Sequence, residues 1–210
     1  MKCDSVWVSC IALDRTLTPV NLDFDPNEAA RKAILVEKRD PEPDELPVSI
    51  FAKVDNDPLD NLPVFFVGGG YTFSGRIAAP FFKFDLGRNL ILPVQIFLHD
   101  RTTEVYAERS YFTRLRSEVL EALAPEASPN LRPAGQNRPG ASQKPPTRWF
   151  LPWEPQDEDV AVTRKALDSP AIWHDPTLIN SLFINGEVVK ALQDAGVAKY
   201  WQLKRCRIVD

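Results

Sequence analysis

Proline limits what this chain can fold into more than any other residue. Nineteen prolines stand against nine glycines in 210 residues, twice the usual proline share of about 5%. A proline lacks a backbone N–H and has a locked φ, so helix interiors and central strands tolerate it poorly. Most of these prolines must therefore lie in connections. Three fall between 41 and 47 and six between 124 and 147. Dense charge accompanies the first group, so Glu37–Pro47 reads as an exposed loop. The second group has almost no bulky apolar residue after Leu131, too little buried surface to offset chain entropy, and 124–148 reads as a flexible linker. The rest is 44% apolar overall, with 12 Phe and 5 Trp, enough for a packed core. The prediction is one α+β body built from 1–123 and 149–210.

The elements of that body follow from local pattern. Val6–Leu13 is β-branched and aromatic and reads as a buried strand. Asp25-Pro26-Asn27-Glu28 offers an N-cap and a first-turn proline for a short helix to about Glu37. Val48–Val54 and Val64–Val67 read as strands, the second running into Gly68–Gly70. Ser74 caps a predicted helix through Phe84, stopped at Gly87, with Pro80 an obstacle inside it. Leu90–Leu98 and Thr103–Ala107 form a hairpin around His99-Asp100-Arg101-Thr102, and Pro93 predicts an edge strand or a bulge. Helices are expected at Ser117–Leu123 and from Asp157 or Asp159 to Leu167. The tail predicts a strand at Leu182–Ile184, Asn185 as N-cap, a helix with an apolar face, Gly196 as its C′ residue, and a last strand over Tyr200–Val209. The expected fold is therefore α+β, a mixed or antiparallel sheet with flanking helices and a closing strand–helix–strand unit.

Charge and composition exclude several functions. The net charge is −4, and residues 1–60 carry 13 acidic against 7 basic side chains. No concentrated Lys/Arg stripe exists, so no nucleic-acid partner is expected. Lys204, Arg205 and Arg207 read as the solvated side of the last strand. No stretch approaches the ~20 apolar residues of a membrane span, and Val6–Leu13 lacks the features of an export signal. Cys3, Cys10 and Cys206 are an odd, scattered set, which argues for reduced thiols and a cytoplasmic protein.

Catalytic patterns are incomplete. His99-Asp100 and His174-Asp175 suggest a metal-dependent phosphohydrolase, but two histidines are too few for its usual ligand set. The three cysteines lack zinc-site spacing, and no metal or other cofactor is expected. Gly68–Gly70 follows a strand without the Lys-Ser/Thr of a phosphate loop, and Thr72 removes the nucleophile elbow around Ser74. No catalytic residue is assigned. A hydrolase or transferase site near Gly68–Gly70, His99 and Asp100 is the alternative reading, and an interaction module of other purpose a third. The acidic stretch Glu37–Asp60 has eight carboxylates against three bases and could steer a basic protein partner; Asp40, Glu42, Asp44 and Glu45 are its candidate contacts.

Two groups of residues resemble a known family. Phe84-Asp85-Leu86-Gly87 followed by Leu92-Pro93-Val94-Gln95-Ile96-Phe97, and Phe183-Ile184-Asn185 with Val188-Val189, Leu192 and Gly196, are similar to the core and closing signatures of bacterial polymorphic-toxin immunity proteins. The group is the eleventh, formerly a domain of unknown function. Asn185 stands where that family commonly has Ser, and the insertion at 124–147 is long. The resemblance implies an α+β protein that binds and neutralises a cognate toxin, and it assigns no catalytic or binding residue.

Overall fold

The structure is a computed structural model describing residues 4–14, 22–25, 28–53, 59, 62–67, 71–135 and 145–210. In chain order the strands are β1 (Val6–Ser9), β2 (Leu22–Phe24), β3 (Val48–Ala52), β4 (Phe65–Val67), β5 (Tyr71–Ser74), β6 (Leu90–Phe97), β7 (Glu104–Val105), β8 (Tyr111–Arg116), β9 (Arg132–Pro133), β10 (Trp149–Phe150), β11 (Ala161–Thr163), β12 (Ile172–Trp173), β13 (Leu182–Asn185), β14 (Leu203–Arg205) and β15 (Arg207–Val209). The α-helices are α1 (Ala29–Lys32), α2 (Gly75–Ala78) and α3 (Gly186–Asp194). The fold is α+β. It divides into two compact units, the first from Met1–Leu13, Lys83–Gly87 and Glu118–Asp210, the second from Asp14–Phe82 and Arg88–Ser117. No helix among the described residues is long and apolar enough to cross a membrane.

In the first unit a four-stranded antiparallel sheet runs β12-β13-β1-β14. Strand β1 is paired on both sides, which is why three of its four residues are buried and its sequence is a continuous apolar run. Cys10 and Ile11 leave the predicted strand: Ile11–Leu13 form a 3-10 turn. Trp173 and Phe183 are cross-strand partners, stacked at 4.2 Å between ring centroids and 8° between planes. Aromatic pairs of this kind add about 1 kcal/mol beyond their burial. The last strand is split at buried Cys206, whose N–H donates to the Val6 carbonyl, so β14 joins β1 while β15 runs parallel to β11. The predicted strand–helix–strand close is present, except that Tyr200 and Trp201, expected in the last strand, lie in a 3-10 helix over Ala198–Trp201. Asn185 Oδ1 accepts the Glu187 N–H at 2.9 Å, α3 buries Val188, Val189 and Leu192, and Gly196 takes φ +68°.

Two predicted α-helices do not form. Over Ser117–Leu123, Val119 bridges His174 and Leu123 bridges Val162. The Asp175 carboxylate accepts the Ala122 and Leu123 N–H groups, each at 2.8 Å. Those N–H groups thus find tertiary acceptors that local sequence cannot reveal. Over 157–167 the chain forms β11 and a 3-10 helix at Arg164–Asp168, while Asp159 accepts the Gln156 N–H and Asp157 the Arg205 N–H. The aspartates cap turns and a strand end instead of a helix. Within 124–148, Pro125–Ala127 form a 3-10 turn and β9 pairs with β10; residues 136–144 lie outside the described part.

The second unit is one mixed sheet, β2-β3-β6-β8-β5-β4, with β7 folded back on β6. Its core includes Phe24, Val48, Ile50, Phe66, Leu92, Val94 and Ile96. Pro93 does not mark an edge strand: β6 lies between β3 and β8. The parallel pairing with β3 starts at Val94, so Pro93 faces a neighbour on one side only, opposite Phe112. Its missing N–H is tolerated there. The register shift comes at Leu90/Ile91 instead. Pro80 ends α2 after one turn, Phe81–Lys83 follow as a 3-10 turn, and the Ser74 hydroxyl makes no capping bond. Helix α1 starts three residues later than the Asp25 cap predicts, after Glu28, and continues as a π-helix over Ala33–Glu37; Pro26 and Asn27 lie outside the described residues.

Replacing Asn185 tests the closing unit directly. Asn185→Ala removes the side-chain acceptor for the Glu187 N–H and costs about 1 kcal/mol in urea unfolding, whereas Asn185→Ser stays near wild type. Equal midpoints for Ala and wild type would refute the cap.

Candidate functional site

The acidic segment 37–45 is organised around one guanidinium. Arg39 donates through Nη1 and Nη2 to the two oxygens of Glu45, at 2.8 and 2.7 Å, and through Nε to Glu37 at 2.7 Å. This bidentate pairing holds the Glu45 carboxyl down at about 2. The Glu42 N–H donates to Glu45 Oε2 at 2.7 Å, closing the turn Pro43–Glu45. Asp40 pairs with Arg116 at 2.8 Å. Of the four predicted contact residues, then, Asp40 and Glu45 are neutralised within the unit. Glu42 and Asp44 are exposed and form no ion pair among the described residues.

The sequence did not single out the residues just before this segment. The π-helix presents Leu35 and Val36 at 52% and 70% exposure, while Ala33 and Ile34 on the same element are buried. Four consecutive apolar residues, Ala33-Ile34-Leu35-Val36, cannot all face one side of a helix, and that run was the available signal. Lys38 adopts φ +58° and its Nζ donates to the Leu35 carbonyl at 2.6 Å, tying the acidic turn to the exposed pair. Large aliphatic groups thus stand beside a rim of carboxylates.

The residues of the alternative enzymatic reading are built into turns where they are described. Asp100 accepts the Thr102 and Thr103 N–H groups at 2.9 and 2.8 Å and the Thr103 hydroxyl at 2.5 Å, which holds its carboxyl down at about 2. His99 is exposed, and Gly68–Gly70 lie outside the described residues. In the first unit Asp175 is buried and accepts from Ala122, Leu123 and both donors of Thr177. Burial pushes the Cys10 thiol up to about 11 and Cys206 higher still, so neither is a ready thiolate. Cys3 lies outside the described residues. Among the described residues no cluster of three His, Cys, Asp or Glu could hold a metal ion.

A second acidic surface lies in the first unit. A cavity of about 460 Å³ is lined by Asp85, Glu118, Asp168 and Glu187, with Phe84, Leu120, Pro170 and Val188 around them, and no basic side chain among the described residues lines it. Phe84-Asp85-Leu86-Gly87 and Asn185–Val188, distant in sequence, both reach it. Gly87 takes φ +57° with its N–H on Asp85 Oδ1 at 2.8 Å, and a Cβ there would meet Glu118 and Pro170. Glu187 Oε1 and the Ser169 hydroxyl are buried without a hydrogen-bond partner. Such a cavity suits a cationic group. No signal in the sequence connects its four carboxylates, because they come from separate segments. No known family model matches the sequence, and no curated protein shows significant similarity to it.

Glu28 precedes α1. It accepts the Ser49 N–H through Oε1, while Oε2 is buried without a partner. Desolvation outweighs the Ser49 bond and nearby Arg31 and pushes its carboxyl up to about 7. Because the folded value lies above the ordinary 4.5, the protonated form favours folding. That contribution is full below pH 4.5 and is lost as pH rises through about 7. Glu28→Gln keeps the acceptor and removes the charge. The melting temperature of wild type therefore drops relative to Glu28→Gln as pH goes from 4.5 to 7, and a pH-independent difference between the two would contradict this.

Proposed function

We propose that this protein is an immunity-type binder that neutralises a cognate toxin by holding a basic face of it against the segment Leu35–Glu45. One observation carries the reading: Leu35 and Val36 stand exposed beside carboxylates already held in place by Arg39. Exposed aliphatic pairs of this size are a cost in solution and a gain when covered. The ion-paired turn loses little conformational freedom on docking, which favours affinity. Glu42 and Asp44 supply unpaired negative charge at the rim, where it speeds encounter with a positive surface and rejects an acidic one. The resemblance of Phe84–Gly87 and Phe183–Gly196 to immunity proteins supports the same class.

The test is co-expression with the toxin encoded by the adjacent gene. Wild type restores growth and co-purifies with the toxin. Val36→Asp, a change at an exposed position, leaves circular dichroism unchanged and weakens the complex by about tenfold or more. Charge reversal at Glu42 and Asp44 chiefly slows association and reduces its salt dependence. Failure of rescue together with the absence of a complex, from a chain that is folded, overturns the reading.

A further inference from the structure

The second unit has a cavity of about 170 Å³ lined by Phe24, Arg31, Ile34, Leu35, Arg114 and Leu115. Phe24 and Ile34 are buried members of the core and Leu115 packs against it, whereas Leu35 is 52% exposed. The cavity therefore leads from the exposed face of the π-helix into the core. Successive residues of a strand point to opposite faces, and Arg114, the neighbour of Leu115 on β8, is paired with Tyr71 and has its guanidinium carbon 5.9 Å from that ring. The guanidinium at the cavity is that of Arg31. It is half-buried at the end of α1 and lies over the Phe24 ring at 4.7 Å.

Leu35 belongs both to this cavity and to the partner surface Leu35–Glu45, and Lys38 Nζ ties its carbonyl to the acidic turn at 2.6 Å. A partner that covers Leu35 and Val36 thus covers the opening as well. The lining selects what can enter. Among the described residues no carboxylate lines the cavity, so an ammonium or guanidinium would lose its water there, face Arg31 and gain no counter-charge. An acidic side chain suits Arg31, but a partner surface of that sign is rejected by Glu42 and Asp44. An aromatic ring meets both demands. One face of the Arg31 guanidinium rests on Phe24 and the other is left for a second ring, an attraction that strengthens as water is excluded. Ile34, Leu35 and Leu115 supply apolar walls. A cavity of about 150 Å³ accommodates benzene, so this space takes one six-membered ring rather than an indole.

Resting on the assignment of Leu35–Glu45 as the partner surface, we propose that the toxin anchors itself by inserting one phenylalanine or tyrosine ring, presented from a basic face, into this cavity against Arg31. A ring buried in a pocket supplies the affinity, and the charges around it set the encounter rate.

NMR titration of the isotope-labelled full chain with p-cresol, the side-chain analogue of tyrosine, and with n-butylamine, that of lysine, tests the cavity without the toxin. p-Cresol should shift the Leu35 and Leu115 amides saturably, with Kd of about 1–10 mM for a ligand of this size, and n-butylamine should not. Arg31→Gln should weaken p-cresol binding and the toxin complex, each several-fold. Stoichiometric toxin should abolish the p-cresol shifts. Val36 does not line the cavity, so Val36→Asp should bind p-cresol like wild type even where it loses the toxin. The proposal alone is overturned if p-cresol fails to bind saturably, if n-butylamine binds as well, if Arg31→Gln leaves p-cresol binding unchanged, or if the toxin complex forms without displacing p-cresol; a complex that Val36→Asp still weakens then leaves the partner surface standing. A dimer of this chain that displaces p-cresol gives the cavity to a second copy and also overturns it. A folded chain that binds p-cresol but forms no toxin complex overturns the partner surface and the proposal together.

Discussion

The first unit depends on the pairing of its earliest described strand with the last segments of the chain. Val6–Ser9 takes Leu182–Asn185 on one side and Leu203–Arg205 on the other. The Ser9 hydroxyl then donates to the Trp201 carbonyl at 2.6 Å across 192 residues of sequence. Loop closure over that distance costs entropy before any contact repays it, so the apolar surface of β1 must be the compensating term. Val6 and Val8 are fully buried, and Trp173, Phe183 and Trp201 are among the largest fully buried side chains. Once these strands are joined, the carboxylates of Asp175 and Asp157 can meet backbone donors that would otherwise be stranded.

The two units handle charge in opposite ways. In the first, a cavity collects four carboxylates and, among the described residues, no base. In the second, surface carboxylates are arranged around Arg39 and Arg116, while Arg114 sits inside with no ion pair among the described residues. Surface pairs such as Arg116 with Asp40 contribute little to stability, because water and salt screen them. What Arg39 supplies is geometry: it orients Glu37 and Glu45 and leaves Glu42 and Asp44 outward beside Leu35 and Val36. The buried cation is the costlier arrangement.

Part of the site was legible in advance. Charge composition alone marks the acidic segment, yet only the structure separates Glu42 and Asp44 from the internally paired Asp40 and Glu45. The run Ala33-Ile34-Leu35-Val36 signalled a helix with an apolar excess, but which members face water follows from the π-helical winding. Arg114 was visible as a charge inside Tyr111-Phe112-Thr113-Arg114-Leu115. An alternating strand of that kind normally turns such a charge to solvent, and burial here results from the tertiary packing of the sheet face that Arg114 shares with Tyr71. The helices expected at Ser117–Leu123 and 157–167 failed for one shared reason, since their N–H groups and aspartates found distant partners stronger than the local alternative.

Sequence alone determined the class of the fold, the strands at Val6, Val48, Phe65, Leu90 and Leu182, and the capped helix from Gly186 to Asp194. Those elements rest on side-chain branching, local capping and apolar periodicity, all of which act over a few residues. Tertiary structure alone decided that Pro93 sits in an interior strand, that the chain ends in two sheets hinged at Cys206, and that Phe84–Gly87 and Asn185–Val188 meet at one cavity. It also decided that Arg114 is buried. Each of these depends on pairings between residues far apart in the chain, and no local preference encodes them.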